Sequence, residues 1–349
     1  MGEKQVLALA ALLSAVIGLA PALAQAPRPG ALETYKDWAI GSDNRARCEA
    51  VSLLPEDEWP DKPLMLGIRR DAGGAAEPEI WLSRDAKGKE ELTFFVDGRK
   101  IASAASQDGE VAFQGPQAGA LAVAMARGMK LEVRSAGAVI ARPSLAGAAA
   151  AMRYMDARQG RAGTMAALVA TGPLGSSAVR AVPPPPSIRR ALVPAGAAPV
   201  TLWREELAAL GKFTACADEM RDASPPELHR LSKSETLVLV PCGAGAYNFS
   251  AVPVIATGIP GRRSFRFAVF DYQPGWSQDA GHPVLVNASW SPESSSLDSY
   301  AKGRGIGDCG SSESYVWDGV RFRLVEASAM GECRGAWHWI TTWSAKVVD

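Results

Sequence analysis

The sequence predicts a mainly β protein, a β-rich α+β fold of two β-sandwich or open-barrel domains with one amphipathic helix in the first. Three observations predict this class. Short apolar runs of strand length are separated by turn residues along most of the chain. Two Asp-Gly pairs, Asp97-Gly98 and Asp318-Gly319, lie between such runs, as in tight hairpins. Four of the five cysteines lie in the C-terminal half, where they can close two local loops.

Length and composition are typical of two globular domains. The chain has 349 residues, of which 47% are hydrophobic and 21% charged. Its 37 basic and 37 acidic side chains balance to a formal net charge of zero. Because binding to a polyanion needs an excess of Lys and Arg, nucleic acid is not an expected partner. No cofactor is expected either.

The N-terminus carries an export signal. Residues 6–23 form an apolar stretch, and Ala22-Leu23-Ala24 places small residues where signal peptidase requires them. We expect cleavage after Ala24, so that residues 1–24 are a signal peptide. The alternative is an uncleaved anchor, since the apolar run is nearly long enough to span a bilayer. No later segment is that apolar, so no stable membrane insertion is expected after cleavage.

The first domain is predicted over residues 31–174. Ser144 can cap an amphipathic helix over residues 145–158, in which apolar residues recur at helical spacing until Gly160 ends it. The alternating or apolar runs predict strands at residues 64–68, 79–82, 92–96 and 130–134.

A Pro/Ala-rich linker is predicted over residues 175–199, where four consecutive prolines, residues 183–186, favour an extended polyproline II spacer. The second domain follows over residues 200–349. In its hairpin around Asp318-Gly319, the side chains of Val320, Phe322 and Leu324 are expected to face the core. A short helix is predicted at residues 205–210, and strands at residues 236–240, 264–272, 283–290, 315–317 and 320–324.

The cysteines fit an oxidising compartment. Cys216 with Cys242, and Cys309 with Cys333, can close the two local loops, and each disulfide would stabilise the fold by about 3 kcal/mol. Cys48 is then left over, either as an inert thiol or as one half of an intermolecular disulfide. The chain has no Cys-x-x-Cys, so a thioredoxin-like motif and a zinc knuckle are both absent.

Several motifs carry a resemblance to a known family. They are the run 303–310, Trp317-Asp318-Gly319, Cys333-Arg334-Gly335, Met155-Asp156 and Gln159-Gly160-Arg161. On these motifs the chain resembles the DUF1176 family of exported bacterial proteins over nearly its whole mature length. The resemblance implies periplasmic residence and a β-rich fold, and it supplies no reaction. Tyr247 and Asn248, which belong to a further shared motif, are candidate binding residues.

The N-terminal half is also similar, more loosely, to invasion-associated locus B proteins. The shared features are Tyr35, Trp38, Cys48 and the Ser144-Leu145 pair. In the resembling families a cysteine follows the Trp at the place where this chain has Ser42. That departure leaves Cys48 without its family partner.

A stripe of tryptophans is the main candidate binding surface. Trp337, Trp339 and Trp343 share one face if residues 336–347 form a strand. Such a face can stack on the sugar rings of an envelope polymer or on a partner's apolar patch. The alternative is that this face is the core of the sandwich, because large aromatic residues at period two usually point inward.

Motifs for catalysis are weak. The run 305–310 matches Gly-x-Gly-x-x-Gly but is followed by strand residues, so it predicts a constrained loop and not a nucleotide site. The three histidines, His229, His282 and His338, have no metal-ligand spacing, and no metal site is expected. The acidic residues 56–61 lack the spacing of a calcium loop and favour a solvated turn.

One general acid/base pair remains possible: Asp271 and His282 lie in a single loop that also contains Asp279. The sequence therefore favours a non-catalytic periplasmic module that binds an envelope protein or glycan. The alternative is an envelope-polymer hydrolase that uses Asp271 and His282.

Overall fold

The computed structural model describes residues 26–56, 63–193, 200–216, 224–274, 277 and 281–349. The predicted signal peptide, most of the acidic turn, Trp276 and Asp279 lie outside these ranges. Within them the fold is mainly β, built from several antiparallel sheets that do not close into a barrel, which confirms the predicted class. None of the helices in this part of the chain is both long and apolar enough to cross a bilayer.

The N-terminal half is built on a six-stranded antiparallel sheet, here called sheet A. Alternate residues of its central strands point to opposite faces. Ile68 and Ile80 lie on the inner face and are fully buried, whereas Arg69 and Glu79 lie on the outer face. In spatial order its strands are β1 (Leu32–Tyr35), β2 (Trp38–Ser42), β3 (Cys48–Ser52), β4 (Leu64–Arg70), β5 (Pro78–Arg84) and β8 (Val111–Phe113).

A four-stranded sheet, sheet B, shares the same core with sheet A. The turn between its two longest strands has positive φ at Asp97 (48°) and Gly98 (78°), and Val96 pairs with Arg99 across it. This is the tight hairpin turn that the Asp-Gly pair predicts. In spatial order the strands are β10 (Ala138–Ala141), β9 (Leu131–Ser135), β6 (Lys89–Val96) and β7 (Arg99–Gln107).

Two helices, not one, complete this core. The helix α1 (Gly115–Arg127) was not expected from the sequence, although a proline stands in its first turn. Its buried residues recur at i, i+3, i+4 and i+7 and are Ala118, Leu121, Ala122 and Met125.

The predicted helix over residues 145–158 begins three residues later, as α2 (Ala148–Arg158). Its N-cap is Gly147 at φ 98°, where a Cβ would stand 1.7 Å from the carbonyl oxygen of Tyr35. Only glycine fits this close approach. Ser144 does not cap the helix: its hydroxyl accepts the N–H of Ala146, which lies before the helix, and donates to Asp37.

The C-terminal half contains two facing antiparallel sheets with an apolar core between them. Sheet E consists of β12 (Glu227–Arg230), β13 (Glu235–Ala244), β14 (Phe249–Thr257) and β15 (Ser264–Phe267), with β16 (Leu285–Val286) paired to β14. Sheet F consists of β17 (Ser289–Ser291), β18 (Ser296–Lys302), β19 (Gly310–Trp317), β20 (Phe322–Met330) and β21 (Ile340–Ser344).

The short helix predicted before Cys216 is longer than expected and forms α3 (Arg204–Thr214). It packs on the outer side of sheet E through Leu210, which is fully buried among valines of β13 and β14. Its N-terminus is closed by Glu206, whose carboxylate accepts a hydrogen bond from the backbone N–H of Trp203.

The hairpin at Asp318-Gly319 has a longer turn than predicted. Trp317 pairs with Phe322, so the turn has four residues and not two. The carboxylate of Asp318 accepts the N–H groups of Val320 and Arg321, which stabilises this longer turn. Phe322 and Leu324 are buried as expected, but Val320 is 68% exposed.

Part of the Pro-rich segment 175–199 is packed and does not act as a spacer. Directly after Pro186, β11 (Ser187–Arg189) pairs in parallel with β22 (Lys346–Val348), and Ile188 is buried there. Ser176–Ala178 form a 3₁₀ turn. The chain thus passes along its own C-terminal strand before it enters the second half.

The two halves share an apolar interface on the outer face of sheet A. Ala39 and Met65 from sheet A pack there with Met330, Ala336 and Ile340 from the C-terminal half, and all five are buried. Burial at this interface, together with the polar contacts described below, holds the halves together.

Candidate ligand groove between the two halves

A groove of about 470 Å³ lies where the C-terminal half leaves the outer face of sheet A uncovered. Strands β4, β5 and β8 form its floor, and the segment just before β21 forms one wall. Its lining residues are Arg69, Glu79, Trp81, Ser83, Glu110, Val111, Ala112, Trp337 and His338. Both halves of the chain therefore contribute side chains to a single concave surface, which is a common setting for a ligand site.

Trp337 is the exposed aromatic residue of the groove. Its indole is 43% exposed, and Nε1 donates a 3.1 Å hydrogen bond to Oγ of Ser83. The Ser83 hydroxyl in turn donates to the carboxylate of Glu110. This chain of hydrogen bonds fixes the orientation of the indole while its ring remains accessible.

Trp81 lies at the base of the groove and is only 9% exposed. Its ring lies on Gly67 of the neighbouring strand, where a Cβ would stand 2.2 Å from ring atoms. The imidazole of His338 packs against it with ring centroids 4.8 Å apart. A glycine at position 67 is needed because any side chain there would displace the indole.

The charged groups of the groove are held by fixed partners. Arg69 forms an ion pair with Glu79 on the adjacent strand, and Gln114 donates to the same carboxylate at 3.1 Å. His338 Nε2 lies 3.0 Å from Oε1 of Glu49, whose side chain is only 5% exposed.

The imidazole of His338 is 42% exposed in the groove, and its Nε2 is occupied by Glu49. The other ring nitrogen, Nδ1, can form a hydrogen bond with a bound ligand.

The two groove carboxylates are anchored at different points along β5. Glu110 accepts a hydrogen bond from Ser83, and Glu79 is held by Arg69 four residues earlier on the strand.

The predicted single face of Trp337, Trp339 and Trp343 is wrong. The first strand in that segment begins at Ile340, so Trp337 and Trp339 lie before it and do not alternate with Trp343 along one strand. Trp339 stacks on Tyr300 with ring centroids 4.6 Å apart and is buried at the interface between the halves. Trp343 packs against the core of the C-terminal sandwich and donates its Nε1 hydrogen to the carbonyl oxygen of Leu324 at 3.2 Å.

Tyr247 and Asn248 lie away from the groove and brace the C-terminal half. The amide of Asn248 donates to the carbonyl oxygen of Lys302 at 2.8 Å and accepts the Lys302 N–H at 3.2 Å. The hydroxyl of Tyr247 donates to the carbonyl oxygen of Gly303 at 3.3 Å. Both residues therefore tie the tip of the β13–β14 hairpin to the end of β18.

Asp271 and His282 each have other partners. The Asp271 carboxylate binds Nε of Arg323 at 2.6 Å and the N–H of Leu324 at 2.8 Å. The imidazole of His282 stacks on Phe267 at 5.1 Å. In the ranges that the structure describes, no hydrogen bond or ion pair joins Asp271 to His282.

The motif residues of the N-terminal half form a buried polar network. The carboxylate of Asp156 accepts three backbone N–H groups, those of residues 168–170. The guanidinium of Arg161, which is fully buried, donates to Gln159 and to backbone carbonyl groups of the loop after β4. Gln159 donates to the carbonyl oxygens of Ala46 and Arg70. These hydrogen bonds to backbone groups hold the loops in place, although Nη1 of Arg161 is buried without a partner among the described residues.

The motif residues of the C-terminal half hold the two halves together. The guanidinium of Arg334 pairs with Asp37 and donates to the carbonyl oxygens of Lys36 and Leu54. Asp308 pairs with Arg304 and accepts the N–H of Gly335, which orients the Arg334 segment. The run 305–310 is thus a loop braced by charge and followed directly by β19, as the sequence suggested.

Both local disulfides are present, Cys216–Cys242 and Cys309–Cys333. Cys48 is a free and fully buried thiol. Burial raises the pKa of the Cys48 thiol to about 12, which keeps it protonated and inert. Ser42 pairs directly with Cys48 across β2 and β3.

Metal-binding groups do not gather anywhere in the described ranges: no three His, Cys, Asp or Glu side chains lie close enough to hold an ion. The acidic residues 57–61, considered above for calcium, lie outside those ranges.

Sequence reasoning missed most of the groove. A sequence pattern that could have indicated the groove is the alternation of Glu79, Trp81 and Ser83 with apolar residues on one short strand. This pattern predicts a polar and aromatic outer face. The contribution of His338 and Glu49 was not predictable, because the contact joins residues 289 positions apart.

The fold and the groove define a class: a β-rich, disulfide-braced protein whose two halves are joined by an apolar interface and a polar clamp. The chain belongs to the DUF1176 family, described as proteins of unknown function, whose model matches residues 32–346. It is 30% identical over 213 residues to the uncharacterized protein YpfG of Escherichia coli strain K12. That match covers 57% of this chain and 59% of the relative's length. No solved structure matches the chain.

Proposed function

We propose that this protein is exported to the periplasm and acts there as a non-catalytic binding module of the cell envelope, with the groove under Trp337 as its ligand site. The proposal has two parts, location and binding. Each part is supported by different residues and has its own test.

Two features support export. The chain begins with an apolar run followed by Ala22-Leu23-Ala24, and its mature part holds two disulfides. Disulfides persist in oxidising compartments such as the periplasm and are rare in the cytosol.

The exposed indole of Trp337 carries the binding part. A tryptophan that is fixed by Ser83 yet remains 43% exposed costs hydrophobic free energy that packing would recover. Around it the groove offers a guanidinium, an imidazole and two carboxylates. An aromatic face with a few fixed polar groups suits the face of a sugar ring and its hydroxyls.

Location is tested by fractionating cells that express the full chain and determining the N-terminus of the recovered protein. We expect release with the periplasmic fraction and a first residue of Gln25. Recovery with the membrane fraction and residues 1–24 still attached would contradict the first part.

Binding is tested by cosedimentation with isolated cell-wall glycan. Wild type is expected to pellet, and Trp337→Ala is expected to remain largely in the supernatant. Trp203→Ala is the matched control, because Trp203 is also an exposed indole (55%) but does not line the groove. Equal pelleting of wild type and Trp337→Ala would contradict the second part.

The alternative of an envelope-polymer hydrolase using Asp271 and His282 receives less support, since Asp271 is occupied by Arg323. It predicts that Asp271→Asn with His282→Ala abolishes rescue of a deletion phenotype, whereas the binding module requires Trp337 instead.

A further inference from the structure

We propose that the ligand of the groove is an amino sugar, recognised through a primary ammonium group next to the face of its ring. This inference rests on the proposed function and names the ligand class of that same site. It follows from the charge balance of the groove and from the exposed indole of Trp337.

The groove carries more negative than positive charge. Arg69 is paired with Glu79, so these two groups largely neutralise each other. Glu110 accepts a hydrogen bond from Ser83, and among the described residues no Lys or Arg lies within ion-pair distance of its carboxylate. Glu49 adds a further carboxylate behind His338. A phosphate, a carboxylate or a uronic acid would be repelled here, whereas an ammonium group would be attracted.

The indole of Trp337 adds a second attraction for a cation. Its Nε1 hydrogen bond to Ser83 brings the indole next to the carboxylate of Glu110, which binds the same hydroxyl. An electron-rich indole face attracts an ammonium group within about 6 Å. The indole of Trp337 and the carboxylate of Glu110 therefore both favour a positive charge at the same end of the groove.

The exposed aromatic face favours a ring over an extended chain. The indole of Trp337 is 43% exposed and is fixed by Ser83, whereas Trp81 is only 9% exposed and its ring is tilted by 58° from that of His338. Arg69 and His338 line the same groove and can form hydrogen bonds with hydroxyl groups. A pyranose ring has an apolar face and a rim of hydroxyls, which matches this layout; the side chain of a lysine has no such rim.

The test is a tryptophan-fluorescence titration of the full-length mature protein with three probes. They are the β-1,4-linked trisaccharide of glucosamine, the N-acetylated form of the same trisaccharide, and trilysine. The first two share the same sugar backbone, but the amino groups are free and charged in the first and acetylated and neutral in the second. Trilysine carries the ammonium groups without a sugar ring.

We expect the glucosamine trisaccharide to bind at least about fivefold more tightly than its N-acetylated form. Glu110→Gln should remove that preference, and added salt should weaken it because the charges are partly exposed. Trp337→Ala should weaken binding of the glucosamine trisaccharide about tenfold or more. Glu326→Gln and Trp203→Ala, which change exposed residues outside the groove, should leave both affinities unchanged.

Three results would overturn the inference. Equal or tighter binding of the N-acetylated probe that still depends on Trp337 would reject the ammonium group and leave the proposed function standing. Tighter binding of trilysine than of either sugar would reject the sugar ring. Absence of Trp337-dependent binding for all three probes would reject the ligand class, and the cosedimentation assay then decides separately whether the proposed function also fails.

Discussion

Glu313 makes the stability of this protein depend on pH. It lies on β19 inside the C-terminal sandwich, between Ser299 and Ala327 on the neighbouring strands, and all three residues are buried. One carboxylate oxygen, Oε2, has no hydrogen-bond partner within the part of the chain that the structure describes. Burial raises the pKa of Glu313 from its ordinary value of 4.5 to about 7, and a hydrogen bond with Ser311 opposes this only in part.

The sign and size of the effect follow from these two pKa values. Below pH 4.5 the carboxyl is protonated in both the folded and the unfolded chain, so Glu313 itself costs no stability there. Between pH 4.5 and 7 the unfolded chain loses the proton while the folded protein retains it. Each pH unit in that window costs about 1.4 kcal/mol, so Glu313 removes about 3 kcal/mol of stability by pH 8.

Glu313→Gln tests this reasoning, because glutamine has nearly the same shape and cannot ionise. Urea unfolding with the disulfides intact, followed by tryptophan fluorescence at pH 4.5 and at pH 8, gives the free energy of unfolding for each form. We expect the loss between the two pH values to be about 3 kcal/mol smaller in Glu313→Gln than in wild type. Glu326→Gln, an exposed position on β20, should behave as wild type. A difference below about 1 kcal/mol between wild type and Glu313→Gln would refute the claim that the folded protein holds this carboxyl neutral.

Two further predictions concern the scaffold. Ser42→Cys should form a disulfide with Cys48 that stabilises the fold by about 2 kcal/mol, because the two residues face each other across β2 and β3. Mass spectrometry after alkylation would show no free thiol, and an alkylated cysteine in the oxidised variant would contradict the pairing. Arg334→Ala should lower the free energy of unfolding by about 2 kcal/mol, because it removes the ion pair with Asp37 and two hydrogen bonds to carbonyl groups. Arg321→Ala, at an exposed turn position, is the control in urea unfolding. Equal stability of Arg334→Ala and Arg321→Ala would disprove the claim that the contacts of Arg334 hold the two halves together.

Elements with local signals were predictable from the sequence. The Asp97-Gly98 hairpin formed as expected, because its turn geometry depends on two adjacent residues. The helix α1 was missed although Pro116 and its apolar spacing were visible, because alanine and glycine dilute the contrast between its two faces. The start of α2 was misplaced since the decisive feature is tertiary: Gly147 is fixed by the carbonyl oxygen of Tyr35, over a hundred residues away in sequence.

The candidate site was predictable only through Trp337. Period-two spacing suggested that Trp339 and Trp343 shared its face, but that argument assumes a strand, and the chain is irregular until Ile340. The remaining groove residues come from strands of the other half. Their approach depends on how the C-terminal segment crosses sheet A, which no local pattern encodes.

Hydroxyl-radical footprinting tests the central claim most directly, because mass spectrometry reads the oxidation of each tryptophan separately. Trp337 and Trp203 are both exposed in the free protein, so both should be oxidised. With soluble cell-wall glycan fragments added, we predict that oxidation of Trp337 falls severalfold while that of Trp203 stays unchanged. Unchanged oxidation of Trp337 at fragment concentrations that saturate binding would contradict the assignment of the groove as the ligand site.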